Sequence, residues 1–222
     1  MEKKTSAEMK IIYSRLSLLV LRVLTTLSLL LTSPYSLWAI STKTYITLEK
    51  QVDEFPLSVS GKPAPICVSS KDFSGVRLIL SRYFASDIEQ VTGTAPAIFV
   101  DNVPKAKDIV IIGTIGKSLL LDRLISTKKI DVKGISGEWE AFLIQPVDKP
   151  FPGVERALVV AGSDKRGTIY GMFDISEKIG VSPWHWWADV PIRHHKDLYV
   201  LPGRHTGGPP SVRYRGIFLN DE

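Results

Sequence analysis

From residue 44 onward, short apolar runs alternate with longer stretches of helical spacing. Runs at 45–48 and 66–69 have the length of strands. Asp72 then stands where an N-cap is expected, and Val76, Leu78, Ile79, Phe84, Ile88 and Val91 recur near helical spacing until Gly93. Residues 97–100 and 109–112 predict two more strands, joined by a polar turn containing Pro104. A second helix is predicted over 117–125. Strands follow at 139–147 and 157–161, separated by a loop with Pro150, Pro152 and Gly153. A third helix runs from Lys165 or Arg166 to Lys178 and closes at Gly180. The order β-α-β-β-α-β-β-α implies an α/β fold with helices packed on a mixed sheet, because consecutive strands can pair as hairpins.

The pattern changes after Val181. Residues 181–210 are rich in proline, glycine and aromatics, with little periodicity, and predict a connector laid over a surface. The chain then ends in a continuous apolar run, Ile217, Phe218 and Leu219, followed by Asn220, Asp221 and Glu222. Such a run fits a strand buried on both faces, as in a parallel barrel, and would need partners beyond this chain or on another one. The organisation expected is a leader over 1–39, an α/β domain over 40–190, a connector over 191–211 and a first barrel strand over 212–222.

Composition adds a leader and removes nucleic acid. The net charge is +5, of which +3 lies in the first 39 residues. No basic stripe remains once that segment is set aside, so nothing calls for a nucleic-acid partner. Basic residues through Arg15 precede an apolar run from Leu16 to Leu31, then Ser33, Pro34 and a small residue at Ala39. This is the layout of a secretory signal, and it places the mature protein outside the cytoplasm, secreted or periplasmic and off the membrane once the leader is cut. Arg22 interrupts the run and disfavours the alternative, an uncleaved anchor. The lone cysteine, Cys67, has no partner for an internal disulfide, and between Ile66 and Val68 it reads as a small buried strand residue.

Several motifs invite chemistry. Gly113-Thr114-Ile115-Gly116-Lys117-Ser118 follows a strand and opens a helix, but a phosphate-binding loop needs a glycine where Ile111 stands. A tight strand-to-helix turn is the simpler reading. The four histidines fall between His185 and His205, yet His194 and His195 are adjacent and point opposite ways on an extended chain, which is a poor start for a metal site. No metal or other cofactor is expected. Trp184, Trp186 and Trp187 stand together; indoles stack on sugars and also fill domain junctions, and packing is the stronger expectation for most of them. Asp174 and Glu177 sit three apart on the third helix, where a solvated face is the default.

Two stretches resemble glycoside hydrolase family 115, the xylan α-1,2-glucuronidases. The first is Ala161-Gly162-Ser163-Asp164-Lys165-Arg166-Gly167-Thr168-Ile169-Tyr170-Gly171, continuing through Ser176-Glu177, Ile179-Gly180-Val181-Ser182-Pro183-Trp184 and Trp186-Trp187-Ala188-Asp189-Val190-Pro191. The second is Tyr214-Arg215-Gly216-Ile217-Phe218-Leu219-Asn220-Asp221-Glu222. The resemblance is dense over 155–222 and looser before. It implies a non-catalytic N-terminal α/β domain beside a (β/α)₈ barrel, in an inverting hydrolase that removes glucuronic or 4-O-methylglucuronic acid from glucuronoxylan or its oligosaccharides and forms a homodimer at full length. Inversion needs an acid and a base about 6.5–9.5 Å apart. The resemblance puts both on later barrel strands, so no residue of this chain is a catalytic candidate and the chain alone is expected to be inactive. By motif match Glu177 and Asp221 come to the substrate pocket, as hydroxyl acceptors or water positioners. Asp164 and Arg166 at the helix start, and Trp184, are further substrate-binding candidates. Two rivals stand beside this reading: a standalone carbohydrate-binding or interaction module, and the accessory domain of another glycoside hydrolase such as a hexosaminidase-like enzyme.

Overall fold

The computed structural model describes residues 15–20, 22 and 44–216, except the side chains of Trp186 and Trp187. The chain divides into two compact units, Met1–Lys43 and Thr44–Glu222. In the first, residues 15–20 are helical and exposed. Among the described residues no helix is long and apolar enough to cross a membrane. The strand expected at 217–219, and with it Asp221, lies outside the described residues.

The second unit carries a six-stranded mixed sheet in the order β10-β7-β8-β6-β4-β5. Its middle is parallel: β4 (Ile66–Val68) pairs with β5 (Ile98–Val100) and β6 (Asp108–Thr114), and β6 pairs with β8 (Arg156–Gly162). The hairpin partner β7 (Phe142–Asp148) runs antiparallel to β8, and β10 (His205–Gly207) closes that edge. Alternation along the inner strands feeds two cores. Val110, Ile112, Leu158 and Val160 face one side, and Ile109, Ile111, Val159 and Ala161 face the other. Cys67 faces the second core, where burial pushes its thiol up to about 12. The expected strands at 66–69, 97–100, 109–112 and 157–161 are therefore present; the inner three are buried on both faces, while the edge strand β5 is partly exposed.

On the first side lie two helical layers and a small sheet. Residues 74–92 form one helical rod: α1 (Ser74–Ile79), a wider π-helical turn (Leu80–Phe84) and α2 (Ala85–Thr92). Its buried side chains are Val76, Leu80, Phe84, Ile88 and Val91. Three of those steps are four residues long, and each would rotate a regular helix by about 40° away from the core. The wide turn absorbs the drift. Leu78, expected on the core face, is exposed: it follows Val76 by two residues, about 200° round the helix. Asp72 is not the cap of this rod, since Phe73 holds that position. Its carboxylate instead accepts from the Thr114 backbone N–H at 2.7 Å and hydroxyl at 2.8 Å, and Thr114 meets the Thr168 hydroxyl at 2.7 Å. This buried chain ties the C-terminal ends of β4, β6 and β8 together.

The stretch expected as a connector contributes two strands. Leu198–Val200 (β9) lies between β1 (Ile46–Thr47) and β2 (Phe55–Val59) in a four-stranded sheet completed by β3 (Lys62–Pro63), and His205–Gly207 is β10. Pro56 interrupts the alternation of β2 and sits beside a register shift, so the strand had no clean pattern to announce it. The helix predicted at 117–125 is α3 (Leu119–Ser126), capped by the Ser118 side chain. A Cβ at Gly113 would stand 2.4 Å from that of Ser118, so the glycine serves a tight turn.

The helix that positions the site is α4 (Lys165–Lys178), which packs on β7 and β8 through glycines. A Cβ at Gly162 would lie 2.1 Å from the Thr168 nitrogen, one at Gly167 2.2 Å from the Ala141 carbonyl oxygen, and one at Gly171 2.9 Å from a Val160 methyl. The helix ends in a Schellman turn: the Gly180 N–H bonds to the Glu177 carbonyl and the Val181 N–H to that of Ser176, with Gly180 at φ +111. Gly162→Ala is expected to lower stability by about 1–3 kcal/mol through overpacking. Gly75→Ala, whose Cβ meets only a lysine stem at 3.6 Å, should be neutral or stabilising by up to about 1 kcal/mol. Urea midpoints at equal m-value check both.

Candidate carbohydrate-binding cleft

Close seating of α4 leaves one of its faces looking into a cleft of about 970 Å³, bounded by the 74–92 rod, the turn after α4 and residues 208–210. Tyr170, Phe173, Asp174 and Glu177 line it from α4, spaced so that they share one side of the helix. Arg82, Tyr83, Asp87 and Gln90 line it from the opposite wall. The wide turn 80–84 carries Arg82 and Tyr83 to its edge, a placement in keeping with π-turns at functional sites.

One corner is built on Glu140. Its backbone is left-handed (φ +52), a conformation costing about 1–3 kcal/mol in a residue other than glycine. Asp164 holds it there: one oxygen caps α4 through the Gly167 N–H at 2.7 Å, and the other accepts from the Glu140 N–H at 2.9 Å. The Glu140 carboxylate, its side chain only 6% exposed, accepts from Arg166 at 2.7 Å and also from Arg215. Arg215 reaches the Val212 carbonyl and lies over the Trp139 ring at 5.6 Å. Gly208 rests against the Glu140 backbone, where a Cβ would come within 2.6 Å of the carbonyl oxygen. The corner thus clamps the 208–215 segment to the start of α4.

The acid wall has its own support. The Tyr45 hydroxyl donates to Asp174 Oδ2 at 2.6 Å, and the Tyr45 ring stacks on His205 with centroids 4.5 Å apart. Burial first, then the bond to Asp174, pushes the Tyr45 phenol above its ordinary range. Glu177 pairs with Lys178 at 3.6 Å and stays largely exposed. Deeper in, burial raises the Asp87 carboxyl, although Ser176 and the charge of His185 pull the other way. Ser176, 3% exposed, stands beside that carboxylate.

Of the residues singled out by sequence, Glu177 lines the cleft and Arg166 stands at its Glu140 corner. Asp164 is engaged in capping α4 and fixing Glu140. Trp184 is 63% exposed beside the lining residues Ser182 and Pro183, in front of a short helix α5 (His185–Ala188). His185 bonds through Nδ1 to the Val190 carbonyl. Among the described residues no cluster of histidine, cysteine and acids is arranged to hold a metal. Glu140, Tyr45, Asp87 and Ser176 carried no signal in the sequence, because their roles arise from partners 24 or more positions away.

The native state holds the Tyr45 proton more tightly than the unfolded chain, whose phenols titrate near pH 10. Its contribution to stability is therefore complete below pH 10 and falls as pH climbs above it. Tyr45→Phe should flatten that alkaline decline while lowering stability near pH 7 by about 1.5 kcal/mol, the loss of a hydrogen bond to a charged group. Denaturant midpoints between pH 7 and 11 check it.

No family model matches this chain, and no curated protein does. Among solved structures it is similar to BtGH115A, a family GH115 4-O-methyl-α-glucuronidase with specificity for decorated arabinogalactans, at 32% identity and a TM-score of 0.55. That match covers 70% of this chain and 18% of the other. CpGH84D matches at 9% identity and a TM-score of 0.42, over 71% of this chain and 22% of that one. The chain spans about a fifth of the length of these structures. Its α/β domain is related to a domain of glycoside hydrolases.

Proposed function

We propose that this domain serves as the N-terminal α/β domain of an exported family 115 α-glucuronidase, with residues 1–39 as its leader. The observation that carries the proposal is the 32% identity, sustained over 70% of the chain, to a family GH115 4-O-methyl-α-glucuronidase. The acid-walled cleft supports it. Asp174 and Glu177 are acceptors for sugar hydroxyls, and Tyr170 and Phe173 offer ring surface of the kind that packs on pyranose faces. Asp221 joins them as a further acceptor in this reading. The domain's part is to bind and orient, while the acid and base of an inverting reaction belong to a barrel. The substrate is a polysaccharide bearing glucuronic or 4-O-methylglucuronic acid: glucuronoxylan by motif resemblance, with decorated arabinogalactan the specificity of the similar enzyme.

Incubation of the 222-residue chain with each polysaccharide tests this reading. The expected outcome is depletion of the protein onto glucuronoxylan with no uronic acid released, measured by anion-exchange chromatography. Retention on arabinogalactan instead would reassign the substrate. Failure to bind either polysaccharide, or release of uronic acid by the chain alone, would overturn the proposal.

A further inference from the structure

The Glu140 corner holds one cation more than its charge requires. Its buried carboxylate gives each oxygen to a different arginine, Oε1 to Arg166 at 2.7 Å and Oε2 to Arg215. One guanidinium already balances that charge. The two cations also stand on different supports. Arg166 belongs to the first turn of α4 and is seated by the helix, whereas Arg215 is carried by the irregular segment 208–215.

That segment has little else to hold it. Residues 211–216 are all exposed, Val212 at 57% and Tyr214 at 86%. From Pro209 to Gly216 no backbone hydrogen bond reaches the rest of the domain among the described residues. Ordering such a stretch costs conformational entropy that apolar burial does not offset here. Beyond the contact of Gly208 at its start, what remains is the Arg215 side chain. It bonds Glu140, donates to the Tyr170 hydroxyl at 3.4 Å and lies over the Trp139 ring. Yet the same segment supplies Gly208, Pro209, Pro210 and Arg215 to the cleft lining. One wall of the cleft therefore depends on one side chain.

Opening an ion pair on a buried carboxylate normally strands its charge, which keeps such pairs shut. Here Arg166 stays on Glu140 when Arg215 leaves, so the carboxylate is never left alone. The second arginine makes the attachment reversible. It also weakens it, because a carboxylate already paired attracts another cation less and the two guanidinium charges repel.

We propose that residues 208–215 form a strap that opens and closes over the cleft, latched by Arg215 on Glu140 and made releasable by Arg166. Both arginines are positioning residues, acting on the cleft through the strap. The latch is a property of the fold. That a sugar is what the strap closes on rests on the proposed function.

A nitroxide attached through Val212→Cys in the 222-residue chain reads the strap by electron paramagnetic resonance; Cys67 is buried and does not compete for the label. Arg215→Gln should raise the mobile fraction of the signal about threefold or more. Salt should raise it in the parent, since the Arg215 side chain is 36% exposed and the screening length at 1 M is about 3 Å. Arg166→Gln should do the reverse and lower it by about twofold, because Glu140 then depends on Arg215 alone. A corner held jointly by two arginines would loosen instead. A xylotriose bearing 4-O-methylglucuronic acid should lower the mobile fraction in the parent and bind Arg215→Gln about tenfold more weakly. A rise in mobility in Arg166→Gln, or none in Arg215→Gln, overturns the latch. Binding of the oligosaccharide with the label signal unchanged overturns closure on a sugar and leaves the proposed function standing. Absence of binding overturns the proposed function, and the two arginine variants still decide the latch.

Discussion

The close approach of α4 to β7 and β8 governs where everything else in this domain can stand. Gly162, Gly167 and Gly171 face Thr168, Ala141 and Val160 at distances that admit no side chain. With the helix drawn down onto the sheet, Asp164 caps its first turn and in the same act fixes the left-handed Glu140 before β7. The outer face of the helix is thereby aimed between the 74–92 rod and the 208–215 segment. A helix lifted by even one methyl would move Tyr170, Asp174 and Glu177 relative to both walls. Packing and site are thus one constraint: interiors as dense as this one transmit small displacements instead of absorbing them.

Much of this frame was legible in the order of residues. Unbroken apolar runs gave β4, β6 and β8, because strands covered on both faces need apolar side chains at every position. The spacing Gly162, Gly167, Gly171 sat inside the stretch that resembles the family, and its meaning became physical only when each glycine was seen against its neighbour. The helix 74–92 held a subtler sign. Its four-residue steps, Val76 to Leu80 to Phe84 to Ile88, suit a locally wide helix better than a regular one, and Leu78, two residues after Val76, lies off that stripe. Strands β2, β9 and β10 were hidden for a different reason. Pro56 breaks the alternation of the first, and the other two are three residues long within a proline- and glycine-rich stretch.

The site divides in the same way. Glu177 was singled out by motif, and its helix places it in the cleft lining. Glu140, Tyr45, Asp87 and Ser176 were silent, since a carboxylate that clamps two arginines or a tyrosine that braces an aspartate is defined only by contacts across the fold. Asp164 looked like a ligand-binding candidate at a helix start, and its oxygens turn out to be spent on the backbone of Gly167 and Glu140. Local sequence announces residues that need a particular neighbour in the chain, and conceals those that need one from far away.

The central claim is that the face between α4 and the 74–92 rod is the sugar-binding face of the domain. Nuclear magnetic resonance tests it directly, by following backbone amide shifts of the 222-residue chain as an oligosaccharide bearing 4-O-methylglucuronic acid is added. The account predicts perturbations confined to residues 82–90, 170–183 and 208–215, with those over 119–126 unmoved on the opposite side of the sheet. Perturbations centred on 119–126, or none anywhere at millimolar ligand, would contradict it.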